Sequence, residues 1–171
     1  SLDWPDAGKL VTSGKAGFFI MGDWASSQWQ SEGLVLGTDY TWAPGPGTDG
    51  IYQWLSDSFT LPVGAPNRAA GLAWLKVCGS LAGQDAFNPK KGSIAVRTDS
   101  DPTKYDSYLQ AAMKSWKVDT LVGSTVHGVN YGNAGMAAYD AAVGRFYTGG
   151  AKDAKGFAKS LVAAYTANQN G

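Results

Sequence analysis

The sequence predicts a helix-rich α/β fold with few strands. Three observations carry that prediction. Tyr105, Tyr108, Leu109, Ala112, Met113 and Trp116 recur at i, i+3, i+4, i+7, i+8 and i+11, the spacing of one helix face. The stretch "AGFFIMG" (16–22) is a short continuous apolar run, and its length suits a buried strand. Later in the chain, Met136, Tyr139, Val143, Phe146 and Tyr147 mark another helix, and Phe157, Leu161 and Tyr165 a last one. Helices therefore dominate the C-terminal half.

Taken in order, Pro5 suits the first turn of a helix that runs to about Ser13 and stops at Gly14. Residues 16–22 follow as the buried strand. Asp23 can cap a helix that begins at Trp24 and ends near Gly33. "YTWAPGPGTDG" (40–50) reads as a strand end and a turn-rich loop, and "IYQWLSDSFTLP" (51–62) as an extended strand. Asn67 or a neighbour caps the next helix, which places Ala69, Leu72, Ala73 and Lys76 on one face with Leu75, Cys78 and Leu81 close by. "AFNPKKGSIAVRTD" (86–99) reads as a basic loop punctuated by proline and glycine. Asp101-Pro102 is a cap and first turn for the 105–116 helix. "TLVGSTVHGVN" (120–130) is extended or loop, and Gly149-Gly150 ends the helix of Met136. There is no internal repeat and no low-complexity tract.

The 171 residues are the size of one domain or one large lobe. Charged residues make up 16%, below the usual share of about 25%. Lys+Arg and Asp+Glu are both 14, so there is no basic excess to recruit nucleic acid. Aromatic residues at 12% with so little charge argue against disorder. Seven tryptophans are enough to line both a core and a ligand site. The lone cysteine, Cys78, reads as a buried free thiol with no disulfide partner in the chain. No stretch of about 18 apolar residues encodes a membrane span.

Four positions stand out chemically. If 51–62 alternates as one strand, Asp57 shares a face with Ile51, Gln53, Leu55, Phe59 and Leu61. A carboxylate there costs several kcal/mol unless it is paired or meets a polar ligand. A different register would leave it exposed, and the two readings weigh equally. His127, the single histidine, lies in an extended segment beside Gly128. With no second His or Cys cluster it cannot build a metal site, and a structural or exposed role is the simpler reading. Lys90-Lys91 sits between Pro89, which fixes backbone, and Gly92, which frees it. One of the two lysines reads as a solvated turn residue. Trp24 follows "MGD" at a strand-to-helix junction, a ligand-facing place in many α/β folds, although a core tryptophan is at least as good a reading. Enzyme signatures are missing: there is no GxSxG, no GxxxxGK[ST] and no HExxH, and no carboxylate pair stands out by spacing. No cofactor is implied.

As a set, "GKAGFFIMGDWASSQ", "APGPGTDGIYQWLSDSFTLP", "GLAWLKVCGSLAGQDAFNPKKGSIAVRTD" and "YLQAAMKSWKVDTLVGSTVHG" resemble the C-terminal part of extracellular sugar-binding proteins of ABC importers. Within that group the chain is most similar to bacterial glucose/mannose-binding proteins. The "GKAGFFIMGDW" piece alone points only to the wider solute-binding superfamily; the "FNPKKGSI" piece with the downstream "HG" narrows the resemblance to the glucose-type branch. Ala95 and Lys90 depart from the pattern, where proline and an apolar residue are commoner.

The resemblance implies part of a bilobed, type II periplasmic-binding-protein fold, periplasmic or lipid-anchored, with a hexose such as glucose in the interlobe cleft and no catalysis. Trp24 then corresponds to an aromatic lining the sugar, and Asp57, Lys91 and His127 to groups that hydrogen-bond its hydroxyls. It further implies that 1–40 and 101–171 belong to the C-terminal lobe and that 51–98 crosses into the N-terminal lobe. The N-terminal portion of the whole protein is absent, so a complementary N-terminal polypeptide and an ABC importer permease are the expected partners. Alone, the chain should expose an excess of apolar surface. A carbohydrate-active hydrolase and a sugar-sensing input domain are the rival readings.

Overall fold

The computed structural model describes residues 2–149 and 153–168. It is helix-rich with one small sheet, as expected. Contacts divide the chain into two compact units: Ser1–Gly50 with Ser58–Asp119, and Ile51–Asp57 with Thr120–Gly171. The chain thus changes unit at 51, at 58 and at 120, whereas the lobe boundaries expected for a larger protein fall at 40, 51, 98 and 101.

The first unit opens with α1, Trp4–Thr12, whose N-terminal N–H of Trp4 donates to Asp3 Oδ1 at 2.8 Å. Ser13 and left-handed Gly14 end it as expected. Then come α2, Trp24–Ser31, α3, Arg68–Gly79, and α4, Leu81–Lys91. A 3-10 turn, Pro102–Lys104, precedes α5, Ser107–Val118. The core of this unit is small. Leu109 is only 2% exposed, and Tyr105, Ala112 and Ala25 are also buried. Beside them Phe19 leans on Trp29, which meets the edge of Tyr40 at a ring-centroid distance of 5.0 Å. Gly8 lets α1 close on this cluster, since a methyl group there would lie 3.2 Å from the Trp29 indole nitrogen.

Several expectations need correction here. Residues 16–22 form no strand, because a strand needs a ladder and no strand lies beside them among the described residues. Phe18 and Ile20 are 94% and 85% exposed, while Phe19 between them is half-buried. Asp23 and Asn67 stand at the N-cap positions of α2 and α3 but make no capping hydrogen bond, and neither has extended backbone. The helix expected from Asn67 is broken at Ser80, whose hydroxyl accepts from Gly83 N at 3.0 Å and starts α4. The presumed loop 86–99 is therefore helical as far as Lys91, with Pro89 inside the helix and Gly92 as its left-handed stop. The 101–116 helix is likewise two elements: Asp101 caps the 3-10 turn, and Asp106 caps α5 by accepting from Leu109 N at 2.8 Å. Cys78 is half-buried rather than buried.

The second unit holds β1, Ile51–Trp54, and β2, Thr120–Gly123, paired in parallel with Trp54 opposite Gly123. The strand expected over 51–62 is thus only four residues long. α6, Gly132–Tyr147, and α7, Ala154–Ala167, follow as expected. They pack through an edge-on Tyr131–Tyr165 pair and a stacked Phe146–Phe157 pair. Gly149 is left-handed at the end of α6, and Gly150 lies outside the described residues.

Candidate functional site

Trp24 is the first residue of α2 and is half-buried. Its indole lies over Gly22, where any Cβ would collide with the ring. The glycine of "MGDW" therefore makes room for the aromatic. Lys91 is the last residue of α4 and half-buried, while Lys90 beside it is exposed. That split matches the expectation that one lysine of the pair is solvated.

The two elements meet. Ser27 Oγ, one turn into α2, donates to Lys90 O at 2.6 Å. Gly92 has φ +79° and is buried, and a Cβ there would stand 2.6 Å from Ser27 Cβ and 3.1 Å from Asp23 O. The start of α2, with Trp24, thus docks on the end of α4, with Lys91. Behind that contact Asp85 of α4 accepts from Lys104 Nζ at 2.7 Å and from Ser100 Oγ, which also contacts Tyr105 OH at 3.0 Å. The Lys104 and Ser100 bonds hold the Asp85 carboxyl below the usual carboxylate range, and the same contact raises Lys104.

In the second unit, Asp57 and His127 follow the C-terminal ends of neighbouring parallel strands. Ser124 N donates to Trp54 O at 2.8 Å, which ties the two strand ends together. Ser124 is 4% exposed, and its hydroxyl sits 2.7 Å from His127 Nδ1. Val129 N donates to Ser124 O, and Asn130 Nδ2 to Gly123 O at 2.6 Å, so the turn carrying His127 is closed on itself. In α/β sheets the carboxyl ends of parallel strands are where ligands are met. Asp57 is exposed. The equal-weight reading that buried it between Leu55 and Phe59 falls, because β1 stops at Trp54 and the alternation stops with it.

Each unit therefore holds two of the four residues on joined elements: Trp24 at the start of α2 and Lys91 at the end of α4, and Asp57 and His127 in the segments that follow the paired ends of β1 and β2. Sequence reasoning missed Ser27, which ties α2 to the end of α4, and Ser124, which holds His127 Nδ1. A serine three residues before the only histidine, and a glycine directly after a double lysine, were the available signals. Among the described residues no group of three or more His, Cys, Asp or Glu could hold a metal. No described helix is long and apolar enough to cross a membrane.

No protein-family model matches the chain. Curated relatives do. A probable sugar-binding periplasmic protein of Brucella suis is 35% identical over 171 residues, 96% of this chain and 40% of its own length. The chain is a relative of the periplasmic sugar-binding proteins. The xylose/arabinose-binding protein XacG of Haloferax volcanii is 37% identical over 110 residues, 64% of this chain and 24% of that protein. An ABC transporter extracellular-binding protein of Pyrococcus horikoshii is 35% identical over 127 residues, 73% of this chain and 28% of its own. The chain spans well under half the length of these relatives.

Proposed function

We propose that this chain works as part of a non-catalytic, periplasmic or extracellular sugar-binding protein that takes a neutral hexose of the glucose type and delivers it to an ABC importer permease. The single observation that carries the reading is similarity over nearly the whole chain to a relative named as sugar-binding and periplasmic. The side chains suit the task. A pyranose has an apolar face and a belt of hydroxyls. Trp24 offers a surface for the first. Asp57 accepts from hydroxyls, Lys91 donates to them, and with Nδ1 of His127 engaged by Ser124 a hydroxyl would be met by Nε2. In this reading the sugar lies in an interlobe cleft of the whole protein. The rest of the binding site comes from an N-terminal polypeptide that corresponds to the remainder of the relatives' length.

Calorimetry on the chain joined to that remainder tests this, with glucose, galactose, mannose, xylose and arabinose. Saturable hexose binding with a change in tryptophan fluorescence is expected. A pentose-only response would favour the chemistry named for the Haloferax relative. No response to any sugar, with sustained turnover of an aryl glycoside, would replace binding by hydrolysis. A signalling domain encoded in the same gene would point to a sensor.

A further inference from the structure

Asn88 is only 6% exposed and lies one turn before the end of α4. Its side-chain amide donates to Gln84 O at 3.1 Å and to Gln84 Oε1 at 2.9 Å, and its Oδ1 accepts from Ser93 Oγ at 2.8 Å. Its backbone carbonyl accepts from both Gly92 N and Ser93 N, at 3.0 and 3.1 Å. Gln84 extends the chain of bonds, donating to Cys78 O at 2.7 Å and accepting from Val96 N at 3.2 Å. Pro89 has no N–H to give to the carbonyl one turn back, so the helix lacks that rung of its ladder just before Lys91. The bonds through Asn88 run to Gln84 on one side of the proline and to Gly92 and Ser93 on the other.

We propose that Asn88, acting with Ser93, is the positioning residue for Lys91: it closes the left-handed turn at Gly92 and so fixes the end of α4 that presents the lysine. The proposal rests on the sugar-contact role of Lys91. A charged hydrogen bond to a sugar hydroxyl depends on where the ammonium is held, and a four-carbon stem reaches its target reliably only from a fixed root.

Glucose titration of the binding protein that carries this sequence tests the idea, with variants N88L, S93A, S93T, K91M and N88L/K91M. N88L and S93A should each weaken glucose binding about tenfold, the lower end of losing one charge-assisted hydrogen bond. S93T keeps the hydroxyl and should bind like wild type. N88L should add nothing to K91M, since its effect runs through the lysine. Hydrogen exchange at the Gly92 and Ser93 amides should speed up in N88L without any sugar present. If N88L does not fold, the S93A and S93T pair decides. N88L and S93A binding like wild type beside a weakened K91M would overturn the proposal, and so would an N88L loss that persists in full in the K91M background. K91M binding like wild type would instead remove the role of Lys91, and the proposal with it.

Discussion

Gly92→Ala is the sharpest test of how α2 and α4 are joined. The residue has φ +79°, a left-handed conformation that an L-residue adopts at a cost of roughly 1–2 kcal/mol. The added methyl would also stand 2.6 Å from Ser27 Cβ and 3.1 Å from Asp23 O, both on or beside α2. Neither is the loose end of a long side chain, so the two elements must separate, and overpacking of this kind costs about 1–3 kcal/mol. The sum is about 2–5 kcal/mol, which for a chain of this size lowers the melting temperature on the order of 10 °C. Gly64→Ala is the matched control. It has the same φ of +79° and nothing within 4 Å of the added carbon, so it carries the backbone cost alone, about 1–2 kcal/mol. Thermal and urea unfolding followed by circular dichroism would compare the two. G92A melting within a degree or two of G64A would refute the close approach of α4 to α2.

Other outcomes follow from the same structure. Lys91→Met should cost roughly 1.5–3 kcal/mol in hexose binding while Lys90→Met, at an exposed position, is nearly silent, and Asp57→Ala should cost more than His127→Ala; calorimetry ranks all four. Asp85 has a lowered carboxyl pKa, so its contribution to stability is present above the unfolded carboxylate value and is lost as pH falls through the lowered folded value. D85N should therefore be less stable than wild type at neutral pH and lose less on acidification, as read from unfolding midpoints over a pH series. Phe18→Lys with Ile20→Lys should change the unfolding free energy of the chain by no more than about 0.5 kcal/mol, because both side chains are exposed, while light scattering should show less self-association.

The helices of the C-terminal half were legible because their apolar periodicity is long and unbroken. α6 and α7 stand where Met136 to Tyr147 and Phe157 to Tyr165 put them, and they pack on each other through aromatic pairs. Residues 16–22 were misread because apolar run length reports what a segment would bury, and a strand also needs a hydrogen-bonded neighbour that local sequence does not supply. α4 was hidden by a conflict of local signals. Pro89 speaks against a helix, whereas Ser80 as a cap, two lysines in the last turn and Gly92 as the stop speak for one, and the majority prevailed. Of the candidate site, the four positions stood out by residue type and context, and their sugar-contact roles came through resemblance alone. The burial of Asn88 and Ser124 was not legible, since a polar residue in the sequence carries no mark of the partners that will satisfy it.

The parallel pairing of β1 with β2 bears on how the molecule is made. Ile51–Trp54 is synthesised before all of Ser58–Asp119, and its partner Thr120–Gly123 comes after it. Throughout that interval the first unit can close contacts of its own, whereas β1 must wait with its ladder unfilled. Pairings between such distant stretches form slowly, and a waiting strand edge is open to the wrong neighbour. Refolding should accordingly run in two phases. The helical signal returns early, and the amides of β1 gain protection only in the later phase, when Thr120–Gly123 pairs with Ile51–Trp54 across the intervening residues.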